Sequence, residues 1–251
     1  MIRDNRAMIA AAGATLLSVL AYAVPTATAA DPLILDDVRW SASSAAGGGD
    51  GVRLRLRYGT SSSEVALDGA RREFAAARGA LAGGAGPIGF NVAHEAGTLN
   101  CTGTMVRPFE GEGRCSFAAD TDYERKLAAR GLTPERRSDM LAMLLLDATI
   151  TLADGLTAAG VKPGDADDLI AAAALDVSPA YVRELQAGAM TLTSVDDAVA
   201  CKALGVDGAY VRGLAEAGYA KLDAAEVISM KALGVTPDYA RAMNAAVKGG
   251  R

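Results

Sequence analysis

Nucleophilic catalysis through a Ser–His or Cys–His pair would have to use His94, the single histidine among 251 residues, because such nucleophiles need an adjacent base. The stretch His94-Glu95-Ala96-Gly97-Thr98 begins like the two-histidine zinc motif of metallopeptidases. Thr98 stands where that motif requires its second histidine, so a zinc site of that type is absent. With one histidine and three scattered cysteines, no ligand cluster has metal spacing. The expected role of His94 is a hairpin-end side chain with its hydrogen bonds satisfied.

Paired carboxylates suited to glycosidase-like work occur at Asp36-Asp37, Glu110 with Glu112, Asp167-Asp168 and Asp196-Asp197. The last two fall at one position of a repeated phrase, in the first turn of a predicted helix. There an acid complements the dipole and caps free N–H groups. Glu110 and Glu112 flank Gly111 at a turn and read as surface charges. Asp165-Ala166-Asp167-Asp168 lacks the twelve-residue loop and terminal glutamate of an EF-hand. No strand–GxxxxGK–helix pattern is present to hold a phosphate. The sequence therefore nominates no catalytic, cofactor-binding or metal-binding residue, and no cofactor.

Cys101 and Cys115 flank a predicted β-hairpin and are expected to bridge, with two buried thiols as the alternative. Cys201 lies in a repeat helix where the next unit has Met230, and reads as a small core residue, with an exposed thiol or intermolecular link as the alternative. Trp40 is the single tryptophan and lies in an early predicted strand. Core filler is its expected role. A sugar-stacking platform would require Tyr58, Phe90 or Phe117 beside it on an exposed face. Arg53, Arg55 and Arg57 alternate with Val52, Leu54, Leu56 and Tyr58. They are a solvated outer face or an anion-binding stripe, and alternation alone favours the former.

These residues sit in two grammars. From 31 to 122 the chain shows short period-two runs: 35–41, 52–58, 64–67, 90–94, 97–103 and 111–117. They predict a small antiparallel β module, with the Ala/Gly-rich stretch 75–87 as loop. From 145 the chain repeats itself. Ala174-Leu-Asp-Val-Ser-Pro-Ala-Tyr-Val-Arg183, Ala203-Leu-Gly-Val-Asp-Gly-Ala-Tyr-Val-Arg212 and Ala232-Leu-Gly-Val-Thr-Pro-Asp-Tyr-Ala-Arg241 begin 29 residues apart. A fainter copy begins at Leu145. Self-similarity at this period predicts stacked helix pairs, since one unit cannot bury its own apolar face.

Within each unit Gly205 and Gly234 supply left-handed helix ends, and Ser178-Pro179 and Thr236-Pro237 supply N-cap and first-turn proline. Tyr181 with Leu185, Tyr210 with Leu214 and Tyr239 with Met243 are expected to line the buried side. Val199 and Ile228 are expected to be buried in the second helix. Arg183, Arg212 and Arg241 recur on one face. They form either an interaction ladder toward an acidic or extended partner, or regular bridges to neighbouring glutamates.

The ends and the charge bound the setting. Arg3 and Arg6 precede an uncharged run from Ala7 to Val24, then Pro25 and the small residues Ala27-Thr28-Ala29. This reads as a secretory signal over 1–30, with a retained anchor as the alternative. Without those residues the net charge moves from −5 to −6, Lys plus Arg falling from 25 to 23 and Asp plus Glu from 30 to 29. Over 132–251 there are 16 acids against 11 bases, so the Leu-Gly-Val turns are not read as DNA-backbone clamps.

The spacing of Phe90, His94-Glu-Ala-Gly-Thr98, Gly103, Gly111, Gly113, Phe117, Tyr123 and Gly131 resembles a group of exported bacterial proteins of unknown function. In that group a small β module precedes helical repeats of the L-G-V-x-P-x-Y-V-R kind. Similar repeats occur on extracytoplasmic parts of membrane-embedded sensor peptidases. The resemblance covers roughly 33–248 and transfers no activity or catalytic residue. This chain departs from the group at His94, where arginine is usual, and in having Cys101 and Cys115.

The expected architecture is thus α+β: a signal peptide over 1–30, an antiparallel β module over 31–122, a connecting helix over 123–144, and an α-solenoid of short repeats over 145–251. The expected function is an exported, periplasmic or secreted, non-enzymatic interaction module with a protein partner in the cell envelope, in sensing or signalling. No nucleic acid and no membrane span after signal cleavage are expected. The rival is a glycan-binding or glycan-modifying protein acting through the β module. A cleft joining Trp40 with Glu110, Glu112 or Asp120 would mark it.

Overall fold

Strict alternation of apolar and polar residues builds the first half into one antiparallel sheet. The computed structural model describes residues 32–44, 51–188, 190–219 and 221–249. The expected signal segment lies outside the described residues. The strands are β1 (Ile34–Ser44), β2 (Val52–Tyr58), β3 (Ser61–Ala66), β4 (Gly86–His94), β5 (Gly97–Arg107) and β6 (Glu110–Ala119), in the order β3-β2-β1-β6-β5-β4. Two meanders, β1–β3 and β4–β6, therefore meet through the pairing of β1 with β6. All pairings are antiparallel, as hairpin connections allow.

One face of the sheet is dry. Leu35, Val38, Trp40, Leu54, Leu56, Phe90, Leu99 and Phe117 are all buried there. Trp40 lies across Gly103 and Gly113, where an added Cβ would stand 2.6 Å from its ring atoms. Its Nε1–H donates to the carbonyl of Thr102 at 3.0 Å, and its ring meets Phe90 edge-on at 5.3 Å. An indole is thereby satisfied inside an apolar layer.

The stretch expected as loop over 75–87 contains a helix, α1 (Ala75–Leu81), which follows a short 3₁₀ turn at Arg72–Phe74. Phe74, Ala77 and Leu81 are buried against the sheet, and that tertiary contact offsets the poor local pattern. The segment 123–144 holds two helices, α2 (Thr121–Ala128) and α3 (Asp139–Leu146), separated by a turn. Asp120 caps α2 by accepting from Asp122 N at 2.9 Å and Tyr123 N at 2.8 Å. In α3 six of the eight residues are buried, since it lies between the sheet and later helices.

The remaining helices are α4 (Ile150–Ala158), α5 (Ala166–Ala174), α6 (Pro179–Ala187), α7 (Val195–Ala203), α8 (Gly208–Glu216), α9 (Ala224–Ala232) and α10 (Pro237–Gly249). The chain is thus an α+β protein: a six-stranded antiparallel sheet with α1 inserted, followed by nine helices among the described residues. α4 packs on α6, α6 on α8 and α8 on α10; α5 packs on α7 and α7 on α9. Ser178, Ser194, Asp207 and Asp223 each cap a helix through a side-chain oxygen. Left-handed backbone closes the helix ends at Asp147, Asp176, Gly205 and Gly234.

Two apolar clusters fill the interior. One joins the sheet to α2, α3 and the starts of α4 and α5; the other runs from Leu156 to Ala240. In α7 and α9 the buried stripe is Val195, Ala198 and Cys201, then Ala224 and Val227. Val199 and Ile228, expected inside, sit one position off that stripe and are half-buried. Tyr181, Leu185, Tyr210 and Leu214 are buried as expected, but Tyr239 and Met243 are exposed. No helix among the described residues is long and apolar enough to cross a membrane, although α3 and α4 would pass as a pair bent by 78°.

Candidate functional site

His94 ends β4, and its side chain is buried. Its Nδ1 accepts from the Ala96 N–H at 3.1 Å, which places the proton on Nε2. That Nε2–H donates to Oδ1 of Asp147 at 3.1 Å. A histidine general base needs a free lone pair facing substrate. Both nitrogens here are committed, so His94 clamps the sheet to the α3–α4 corner. Glu95 acts beside it: its Oε1 accepts from Ile150 N at 2.7 Å, at the positive end of α4.

Arg71 completes this junction. It donates to the carbonyls of Leu144 (2.8 Å) and Leu145 at the end of α3, and its guanidinium pairs with Glu73 at 2.5 Å. The sequence singles out His94 as the one histidine but gives no sign of its meeting with Asp147. Asp147 is held at φ 62° where α3 ends, as Asp176 is at φ 52° where α5 ends.

Several of the paired acids take structural roles. Asp165 caps α5 by accepting from Asp168 N at 2.9 Å, and Asp168 accepts from Gly164 N at 2.7 Å. Burial raises the Asp168 carboxyl above its ordinary value. Asp167 pairs with Arg136 at 2.5 Å, and Asp197 accepts from the Thr193 hydroxyl at 3.1 Å. Glu110 pairs with Arg107 at 2.5 Å. No group of three or more His, Cys, Asp or Glu is placed to hold a metal among the described residues.

Trp40 faces the interior, Glu112 the solvent, and Asp120 the first turn of α2. Trp40 and Glu112 both border an open hollow of about 510 Å³ above Gly103 and Gly113, which Glu110 and Asp120 do not line; the Trp40 ring is buried and its Nε1–H is spent on Thr102, so it offers no stacking face there. Tyr58 is half-buried, and Phe90 and Phe117 are buried, so none of these three rings stands exposed beside Trp40. Arg53 and Arg55 there both reach Glu64, at 3.2 and 2.9 Å, as in a solvated outer face. A hollow of about 240 Å³ lies between Tyr58, Ser61 and Ser63 on one side and Arg136, Asp139 and Ile170 on the other. Its one cation, Arg136, is already paired with Asp139 and Asp167.

Cys101 and Cys115 oppose each other directly in the β5–β6 register and form a disulfide, as expected. Bridges of this kind persist in oxidising compartments. Cys201 is fully buried, and burial pushes its thiol up to about 11, which makes it inert.

The three ladder arginines all lie exposed on α6, α8 and α10. Arg241 pairs within its own helix, with Asp238 at 2.7 Å. Arg183 and Arg212 make no ion pair within 4.0 Å among the described residues. Behind them, Tyr181 and Tyr210 donate to the carbonyls of Val206 (2.7 Å) and Val235 (2.8 Å), and Tyr123 donates likewise to Ala148. Lys202 and Lys231 lie over the rings of Tyr181 and Tyr210, at 4.6 and 4.4 Å. No family model, curated protein or solved structure matches the chain.

Proposed function

We propose that the protein is an exported, non-enzymatic interaction module whose helical segment is an α-solenoid of period 29, and that it docks an acidic protein partner of the cell envelope. Helix starts at 150, 179, 208 and 237, and at 166, 195 and 224, are separated by 29 and support the solenoid reading. So do packing between next-nearest helices and the tyrosine–carbonyl bonds, each spanning 25 residues. α2, which begins at 121 with Tyr123 placed like Tyr181, fits the same series one unit earlier than the repeats are legible in sequence. Export is supported by the charge and hydropathy pattern of 1–30 and by the disulfide.

The observation that carries the interaction reading is the state of the ladder. Regular Arg–Glu bridging between units would explain arginine at each repeat, yet Arg183 and Arg212 lie exposed and unbridged among the described residues. A cation repeated along a rigid array fits a partner with acids at matching intervals. The test is envelope affinity capture with the wild type and with an Arg183→Gln, Arg212→Gln, Arg241→Gln variant. One captured protein that is lost with the variant and at raised salt supports the reading. Capture unchanged by the variant refutes it.

A further inference from the structure

We infer that two copies of this chain join end to end through α10. The inference uses the unit-to-unit equivalence of the proposed array and is independent of what the arginine ladder binds. Tyr181 and Tyr210 are 7 % and 8 % exposed, each covered by the helix pair that follows, whereas Tyr239 in the same place is 56 % exposed. Leu175 and Leu204 are 38 % and 40 % exposed, and Leu233 is 82 % exposed. Met243 is half-exposed where Leu185 and Leu214 are fully buried. The end face is thus built like the two inner interfaces and continues them, with Leu233, Tyr239 and Met243 left open.

The opposite end of the array is finished differently. There α3 packs against β3, β5 and β6 on the side away from α5. The sheet thus occupies that side, and a head-to-tail stack finds no free helix face to meet. Tail against tail avoids this and closes as a two-fold pair.

The tail is also self-complementary. Tyr239, Ala242, Met243 and Ala246 fall at i, i+3, i+4 and i+7 on α10 and are all exposed, which is the spacing of a helix-pairing seam. An antiparallel pairing of two α10 helices centred between Ala242 and Met243 sets each Tyr239 opposite Ala246 of the second copy. It sets each Met243 opposite Ala242. Large then meets small in both layers, the arrangement that lets facing helices interdigitate.

The test is the mass of the full chain by sedimentation across micromolar to sub-millimolar concentration. A dimer is expected, weakened roughly 30-fold by Tyr239→Glu, the loss of one central aromatic anchor, and untouched by Arg183→Glu. Under mild oxidation Met243→Cys should give a covalent dimer, and Ala245→Cys, on the outer side of α10, should not. A wild type that stays monomeric overturns the inference and leaves the face to a different polypeptide. A dimer indifferent to Tyr239→Glu overturns it as well. Failure of the ladder test alone would leave this result standing.

Discussion

The hydroxyl of Tyr210 donates to the backbone carbonyl of Val235, 2.8 Å away and 25 residues further along the chain. The bond leaves one helix pair and ends on the turn that opens the next, so it couples neighbours and nothing more distant. Val235 N in turn donates to the Met230 carbonyl at 2.9 Å, holding that turn closed. A buried phenol and an otherwise unpaired carbonyl satisfy each other.

Removing that hydroxyl with Tyr210→Phe should cost about 1 kcal/mol, the usual net value of such a bond. Tyr181→Phe should cost the same. Tyr239→Phe should be neutral in the monomer, because its hydroxyl has no such carbonyl among the described residues. Urea unfolding midpoints at constant slope check all three.

Gly113→Ala should be among the most damaging single changes in the sheet. Its Cβ would stand 2.0 Å from the Thr102 oxygen and 2.6 Å from Trp40 Nε1. Neither backbone nor the pinned indole can retreat, so a loss of about 3 kcal/mol is expected. Near-ultraviolet circular dichroism of the single tryptophan should report the displaced ring.

Reducing the disulfide should destabilise the protein by about 3 kcal/mol, the chain-entropy value for a loop of this size; the two cysteines are 14 residues apart. The double variant Cys101→Ala, Cys115→Ala should match the reduced protein. Equal midpoints for oxidised and reduced wild type would contradict this.

Stability should fall in alkali. Burial raises the Cys201 thiol from 9.0 up to about 11 and raises the phenols of Tyr123, Tyr181 and Tyr210 above their ordinary values. The folded form therefore binds these protons more tightly than the unfolded form. The stabilisation is whole below the unfolded values and is lost as pH rises through the folded ones. Unfolding free energy should hold level to about pH 9 and then decline, the thiol acting between about 9 and 11 and the phenols from about 10 upward, with a later onset in Cys201→Ala. In native protein Cys201 should resist alkylation.

Much of this was legible in the chain because it is carried by short-range pattern. The Cys101–Cys115 pair follows from two strands joined by a tight turn, and the cap at Ser178 follows from a serine standing just before proline and an apolar run. What was not legible depends on distant partners. Residues 75–81 have no helical periodicity and become a helix because Phe74, Ala77 and Leu81 find the sheet. His94 and Asp147 meet across 53 residues, which no local pattern encodes. The exposure of Tyr239 was missed because its sequence neighbourhood matches that of Tyr181 and Tyr210; the difference lies in what packs behind it.

The most direct measurement is site-specific photo-crosslinking in living cells, with the reactive residue placed in turn at Glu184, Glu216 and Asp238, beside the ladder, and at Ser62 and Thr104 on the outer sheet face. We expect the helical positions to join one envelope protein and the sheet positions to join none. Cross-links from the sheet positions alone, or turnover of an envelope glycan by the pure protein, would contradict a docking array.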